Sequence, residues 1–257
     1  MKLRILGTGS ASPTEKAFQS AQVLELTGKK FLIDCGEGTQ MRCMQYGIEL
    51  AQIDAIFISH AHLDHYIGLP GLLKRSWRQR RTQPLPVYAP EEVFENLERI
   101  FDSFYPGFTI DFRVTEPDRQ YEVVRTSRVV VSSIPLEHDA PASGFLFEEI
   151  TAQSIVKRFA YCSDTAYDNG IIPQIAGVEL LYHEATYSEE NGRNGGVLCV
   201  HSTTKHAATV ARKANAGHLI IGHYSIKNQD YKSLEREARE IFPNTTAAYD
   251  GFVWEKV

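Results

Sequence analysis

Four potential metal ligands fall within six residues in the segment Ser59-His60-Ala61-His62-Leu63-Asp64-His65, and this cluster constrains the chain more than any other feature. It closes the short apolar run 54–59, which reads as a buried strand. Side chains two apart on an extended chain point the same way, so His60 and His62 can take one metal ion together. Asp64 and His65, where the chain turns into a following helix, can face a second ion. The plainer alternative is a set of exposed polar residues after a strand, which does not account for this density or for the alternating spacing.

Two ions need more ligands than one strand end supplies. Three further candidates occupy similar places: His138 after the apolar run 129–136, Asp164 after 159–163, and His223 after 219–222. Loops at the carboxyl ends of strands in an α/β sheet are where ligands converge. Taken singly, each is equally a structural histidine or a turn-capping aspartate; taken together they complete a site.

The rest of the chain alternates in the manner of an α/β protein. Strands are expected at 2–6, 20–26, 30–33, 54–59, 86–89, 128–135, 145–148, 159–163, 180–184, 218–222 and 247–254. Helices are expected at 40–46, 69–81, 91–104, 203–215 and 231–241. Gly7-Thr8-Gly9-Ser10 follows the first strand as a glycine-rich turn, and Thr27-Gly28-Lys29 reads as a hairpin turn. With 257 residues, no Ser/Pro-rich linker and no sequence repeat, the expectation is one domain over 1–257.

Composition excludes several classes. Hydrophobic residues at 43% and charged residues at 23% suit a soluble globular protein and neither a disordered nor a fibrous one. The amino-terminal apolar run is too short for a signal peptide, and no stretch approaches the length of a membrane span. Cys35, Cys43, Cys162 and Cys199 form no CxxC pair, so reduced thiols in a cytoplasmic protein are expected. A net charge of −5 gives no general attraction to nucleic acid, so any such binding requires a local patch.

At this point the chain resembles a known family. His60 to His65 as HxHxDH, the lone His138, Ser163-Asp164-Thr165 and Gly222-His223-Tyr224-Ser225 are similar to the metal motifs of the metallo-β-lactamase superfamily. Within it, Gly7-Thr8-Gly9-Ser10-Ala11, Asp34-Cys35-Gly36-Glu37-Gly38-Thr39-Gln40, Gly68-Leu69-Pro70-Gly71-Leu72, His183-Glu184-Ala185-Thr186 and His201-Ser202-Thr203 resemble the ribonuclease Z branch, which processes tRNA 3′ ends. The matches run from residue 5 to residue 251.

The resemblance implies an αβ/βα four-layer sandwich, with two mixed sheets flanked by helices. It implies two zinc ions, one on His60, His62 and His138, the other on Asp64, His65 and His223, with Asp164 bridging them. Manganese or iron is also compatible with the carboxylate ligands. Asp64 matches the family's general base, while His201 matches its proton donor, oriented by Glu184. The bland alternatives for the last two are a loop carboxylate and a helix-entry histidine. The implied substrate is a tRNA precursor, cut on the 3′ side to leave a 3′-hydroxyl, and the family's usual state is a homodimer.

Two features bear on substrate grip. Lys74-Arg75-Ser76-Trp77-Arg78-Gln79-Arg80-Arg81 carries five cations and an aromatic in eight residues. It reads as an RNA-phosphate grip through Lys74, Arg75, Arg78, Arg80 and Arg81, with Trp77 stacking or packing, or as a solvated helix face. Ribonuclease Z enzymes usually insert a tRNA-clamping arm between the segments that hold His138 and Asp164. Only 25 residues separate these two here, enough for a strand, a turn and a strand, so the arm is expected to be absent or vestigial. That shortness favours a second reading, a phosphodiesterase for small or cyclic diesters; sulfate esters and lactams are further substrates of such a fold. From another class, a non-catalytic RNA-binding protein would have no need of an intact ligand set.

Overall fold

The apolar runs become strands and most of the periodic segments helices in the computed structural model of the protein, which describes residues 1–78, 85–104, 110–195, 200–228 and 230–256, with the backbone alone at 76–78, 102–104 and 193–195. In chain order the first elements are β1 (Lys2–Gly7), β2 (Ala21–Leu26), β3 (Lys29–Ile33), α1 (Thr39–Gln45), β4 (Ala55–Phe57), α2 (Leu63–Tyr66), α3 (Leu69–Arg78), β5 (Pro86–Ala89), α4 (Glu91–Phe104) and β6 (Asp111–Val114). There follow β7 (Glu122–Arg125), β8 (Val129–Leu136), β9 (Ala142–Ile150), β10 (Ile155–Cys162), α5 (Ile171–Ile175), β11 (Leu180–Glu184), α6 (Glu189–Gly195), α7 (Thr204–Lys213), β12 (His218–Gly222), α8 (Tyr231–Arg239), β13 (Thr245–Ala247) and β14 (Val253–Glu255). The chain divides into two compact units, Met1–Thr115 with Asp250–Val257, and Glu116–Tyr249. No helix among the described residues is long and apolar enough to cross a membrane.

In the first unit the described strands form a seven-stranded sheet of order β14-β1-β2-β3-β4-β5-β6. Pairing is antiparallel from β14 to β3 and parallel from β3 to β6. Thr27 and Gly28, both left-handed at φ 52° and 80°, make the two-residue turn between β2 and β3, a geometry that matches the twist of paired strands. All three residues of β4 are buried. A parallel strand covered on both faces needs no polar side, which is why this run shows no alternation. Leu32, Ile56 and Val87 of the sheet pack with Leu69 and Leu72 of α3 and with Val93, Leu97 and Phe101 of α4. The four-residue spacing of those α4 residues is one helical stripe, and each such side chain contributes about 1.5–3 kcal/mol on burial.

The second unit repeats the scheme, with its described strands in the order β13-β12-β11-β10-β9-β8-β7. Pairing is parallel from β13 to β10 and antiparallel from β10 to β7. Helix α7 starts at a capping box, in which the Thr203 side chain accepts from the His206 amide and the His206 ring accepts from the Thr203 amide. Its buried face, Thr204, Ala207, Ala208, Val210 and Ala211, is mostly alanine, and its apolar members pack with Leu181, Leu219 and Ile221 of the sheet.

Several expectations are revised. The single strand expected at 247–254 is two strands, β13 in the second sheet and β14 in the first. The break falls at Gly251, whose φ of 92° suits glycine and where a Cβ would lie 2.7 Å from the Tyr46 hydroxyl. Strands β6 (DFRV) and β7 (EVVR) and the five-residue α5 were not foreseen. The two strands are sheet edges that mix charged with apolar residues over four positions, too short a run for a periodic signal. The helix expected at 69–81 is described as far as Arg78, and the remainder of that run lies outside the described residues.

The segment between His138 and Asp164 is a closed hairpin of β9 and β10. Its turn, 151–154, is tied by Thr151, whose hydroxyl donates to the Ser154 carbonyl at 2.7 Å and accepts from the Ser154 amide at 3.0 Å. Strand, turn and strand fill the segment, leaving no room for an arm. Cys35, Cys43 and Cys162 are buried free thiols, as expected, and Cys199 lies outside the described residues.

Candidate metal centre

In the first unit, His60 follows the carboxyl end of β4, and His62, still extended at φ −72° and ψ 139°, is the N-cap of α2. The rings of His60 and His62 lie 4.7 Å apart and those of His60 and His65 4.1 Å apart. Asp34, fully buried and left-handed at φ 54°, sits at the end of the neighbouring strand β3. Its Oδ2 accepts from His65 Nδ1 at 2.7 Å and its Oδ1 from the Ser59 amide at 2.8 Å. The Ser59 hydroxyl, 3.1 Å from Asp34 Oδ2, lies 3.0 Å from His60 Nδ1. It therefore donates to the carboxylate and accepts from that ring. Asp64 Oδ2 accepts from the Ala11 amide at 2.7 Å and lies 3.5 Å from His65 Nε2.

In the second unit, His138 follows β8, Asp164 follows β10, Glu184 ends β11 and His223 follows β12. His138 Nδ1 donates to the Val200 carbonyl at 2.8 Å, and its Nε2 lies 3.9 Å from Asp164 Oδ2. His223, held left-handed at φ 60°, places Nε2 3.2 Å from Asp164 Oδ1, while its Nδ1 lies 3.0 Å from the Thr186 hydroxyl. Asp164, His201 and His223 each offer a ligand atom within 4.8 Å of the others'. Burial lowers the pKa of His138, which favours the neutral imidazole that a metal requires.

Glu184 is fully buried and saturated with donors. Its Oε1 accepts from the amides of Thr165 and Ser202 at 3.1 and 2.9 Å and from His201 Nδ1 at 3.0 Å. Its Oε2 accepts from the Thr186 amide at 2.9 Å and the Thr186 hydroxyl at 2.8 Å. Burial acts to raise the Glu184 pKa, but His201 beside it holds the carboxyl below its usual range. Burial likewise acts to lower His201, and the hydrogen bond and charge of Glu184, helped by Asp164 and Asp139, overcome it and raise the ring to about 9. A cationic imidazole beside a carboxylate is a proton donor available at neutral pH. The ring of Tyr187 stands edge-on to that of His201, with centroids 6.1 Å apart.

The donor set suits divalent metal. His60, His65, His138 and His223 all have Nδ1 engaged by an oxygen atom, which fixes the tautomer and leaves Nε2 as the coordinating atom. The oxygens of Asp64 and Asp164 stand beside such Nε2 atoms. Each unit thus gathers the residues the motifs singled out in it. Sequence reasoning did not single out the supports, Asp34, Ser59, Thr186 and the backbone of Ala11 and Val200. Asp34, Ser59, Thr186 and Ala11 all fall within the motifs named above, and Asp34 carries the same signal as the proposed ligands, a polar residue directly after a buried strand.

Of the basic run, the described side chains, Lys74 and Arg75, are not gathered into either group. Lys74 and Arg75 lie on α3, where Arg75 Nη1 approaches Met44 Sδ at 2.6 Å. Trp77 and Arg78 belong to the same helix, and Arg80 and Arg81 lie outside the described residues.

Comparison with known proteins agrees with these motifs. A model of the beta-lactamase superfamily domain matches residues 29–224. Ribonuclease Z of Parabacteroides distasonis is 35% identical over 295 aligned positions, covering 97% of each chain. Ribonuclease Z of Porphyromonas gingivalis strain W83 is 36% identical over 292 positions, covering 96% of each. Both alignments are longer than the 257 residues of this chain, so these relatives carry segments that it lacks. Human tRNase Z, short form, superposes with a TM-score of 0.81 at 27% identity over 99% of both chains. The fold is accordingly that of the metallo-β-lactamases, two mixed seven-stranded sheets with flanking helices, and the chain belongs to the ribonuclease Z family of that superfamily.

Proposed function

We propose that the protein is a metal-dependent endoribonuclease that removes the 3′ trailer of tRNA precursors, its two units acting as one domain. The observation that carries this reading is the pairing of buried Glu184 with His201 beside Asp164 and His223, contributed by the His183-Glu184-Ala185-Thr186 and His201-Ser202-Thr203 motifs, in a chain similar over its length to ribonuclease Z enzymes. His60, His62 and His138 would hold one zinc ion, and Asp64, His65 and His223 a second, with Asp164 shared. Manganese or iron are the alternatives for this mixed imidazole and carboxylate set. When bound, such a pair supplies a water molecule acidified toward neutrality and neutralises charge on the phosphoryl oxygens.

The protein's own side chains do the rest. Asp64, anchored on one oxygen by the Ala11 amide, accepts the proton of the attacking water. His201, kept cationic by Glu184, donates to the leaving 3′ oxygen of the tRNA, and the product ends in a 3′-hydroxyl. The same reading has the protein cytoplasmic and homodimeric, the latter checked by sedimentation. Lys74, Arg75, Arg78, Arg80 and Arg81 supply phosphate contacts in place of the missing arm, with Trp77 stacking or packing beside them.

The test is to incubate zinc- or manganese-loaded protein with a 3′-extended tRNA precursor and map the product ends, with bis(p-nitrophenyl) phosphate in parallel. A single cut beside the unpaired base after the acceptor stem supports the reading. Hydrolysis of the small diester with the precursor left intact overturns it in favour of a small-molecule phosphodiesterase, the reading that the closed β9–β10 hairpin favours.

A further inference from the structure

The glycine-rich turn after β1 enters the chemistry above only through the Ala11 amide, where it ends on the carboxylate of Asp64. The Ala11 amide donates to Asp64 Oδ2 at 2.7 Å. Ala11 is exposed and left-handed at φ 41°, a conformation that an alanine holds only when its surroundings impose it. Gln19 imposes it. Its side chain is buried, with Nε2 donating to the Ala11 carbonyl at 2.8 Å and Oε1 accepting from the Glu37 amide at 2.8 Å. One amide group therefore ties the tip of the turn to the loop after β3.

Both ends of that brace are fixed. The segment that carries Gln19 runs against the turn: the Gly9 amide donates to the Phe18 carbonyl at 2.8 Å, and a Cβ on Gly7 would lie 1.9 Å from the Gln19 carbonyl oxygen. On the other side, a Cβ on Gly36 would lie 2.3 Å from the Asp64 carbonyl oxygen and 2.5 Å from Gln19 Cβ. Gln19, Gly36 and the backbone of Asp64 are thus in direct packing. Asp250 pins the base of the turn, with Oδ1 accepting from the Thr8 amide and hydroxyl at 3.0 and 2.9 Å and Oδ2 from the Phe18 amide at 2.8 Å. Arg42 closes the group at 2.9 Å from Asp250 Oδ2.

We infer that Gln19 is a positioning residue for the hydrolytic reaction: through the Ala11 amide it fixes the rotamer of the Asp64 carboxylate and so the direction in which that carboxylate meets metal and water. The inference rests on the reading of Asp64 as a metal ligand and base. Groups behind the ligands that set their orientation commonly change metal affinity or activity 10–100-fold, and a carboxylate free to rotate loses geometry needed only in the transition state, which lowers kcat and spares KM.

The test uses Gln19→Glu, which keeps the acceptor for Glu37 but sets an oxygen against the Ala11 carbonyl, and Gln19→Met, which keeps volume without hydrogen bonds. Ala11→Gly, at an exposed position, serves as a variant that folds in any case: it retains the amide but frees the turn. For each, kcat and KM on a 3′-extended precursor are measured with zinc affinity, by competition against a chromophoric chelator, and the thermal midpoint. Expected are a kcat about ten-fold lower for the Gln19 variants and several-fold lower for Ala11→Gly, a KM within two-fold, and zinc affinity about ten-fold weaker at one site. A folded Gln19 variant with parental kcat and zinc affinity overturns the inference, as does a lowered midpoint with parental kcat per folded molecule, which would make Gln19 merely structural. Asp64→Ala is run alongside: if it keeps turnover, the reading of Asp64 itself is wrong, whereas an inactive Asp64→Ala with a parental Gln19→Glu refutes only the role of Gln19.

Discussion

Replacing Thr186 with valine removes one hydroxyl at almost constant volume, and the structure says which partner suffers. Glu184 Oε2 loses the Thr186 hydroxyl but keeps the Thr186 amide at 2.9 Å, so it is not orphaned. His223 Nδ1, 3.0 Å from that hydroxyl in a residue only 2% exposed, loses its acceptor. Leaving a buried donor unsatisfied costs about 1–3 kcal/mol. The ring can avoid this by moving its proton to Nε2, beside Asp164 Oδ1 at 3.2 Å, but then it loses the lone pair that a metal needs. Either route weakens metal binding at His223 by about 10–100-fold, that is, by about 1.4–2.7 kcal/mol. Zinc competition titration of Thr186→Val and Thr186→Ser measures the effect, since serine restores the hydroxyl without the methyl group. Parental zinc affinity in Thr186→Val, or a Thr186→Ser variant as weak as the valine one, would refute the assignment of the His223 tautomer to this hydroxyl.

Three other outcomes follow from the same geometry. His201, raised from 6.5 to about 9, is protonated at neutral pH, so turnover should persist below pH 9 and fall as pH rises through it; in Glu184→Gln the largest opposition to burial is lost, Asp164 and Asp139 alone remaining, and the alkaline limb should move to lower pH. An unmoved limb in the pH–kcat profile contradicts Glu184 as its cause. Gly7→Ala drives a Cβ to 1.9 Å from a backbone oxygen; it should cost at least about 1–3 kcal/mol and lower the melting midpoint by about 2–4 °C per kcal/mol, and an unchanged melt would show that the turn can shift at no cost. Replacing Arg78, Arg80 and Arg81 with glutamine should weaken RNA binding and flatten its salt dependence by about 0.7–0.9 in the log–log slope for each phosphate no longer neutralised; unchanged affinity and slope would return this run to a solvated helix face.

Several of the proposed ligands were legible in the sequence because they stand close after buried strands. His60, Asp164 and His223 each end an apolar run, and a central parallel strand is marked by that run alone. Their supports were less legible, because a supporting atom often belongs to the backbone. Nothing in the identity of Ala11 or Val200 announces that the amide of one holds Asp64 and the carbonyl of the other orients His138. Gln19 is ordinary by type, and its place is set by partners 8 and 18 residues away. The strand expected at 247–254 failed for a related reason. Both halves are extended and partly apolar, and the change of sheet between them is decided by pairing partners, β12 for one and β1 for the other, which a local pattern does not contain.

The missing arm and the intact site are compatible because different parts of the second sheet hold them. Asp164 and Glu184 are kept in step by the parallel register of β10 and β11, Phe159 with Leu180 through Cys162 with His183, and β11 is in turn registered to β12 up to Glu184 and Gly222, one residue before His223. The β9–β10 hairpin lies in the antiparallel half, and its turn at 151–154 is at the opposite end of β10 from Asp164. Shortening that connection does not require the register at Cys162 to change, since a slip there would turn buried Ala160 and Cys162 to the wrong face of the sheet. His138 follows β8, whose pairing with β9 runs unbroken from Val129 with Glu149 to Leu136 with Ala142, so it too is fixed at the end far from the turn. Loss of an arm at this hairpin therefore leaves every proposed ligand of the second unit where the sheet puts it, and its effect falls on how RNA is gripped rather than on how the phosphodiester is cut.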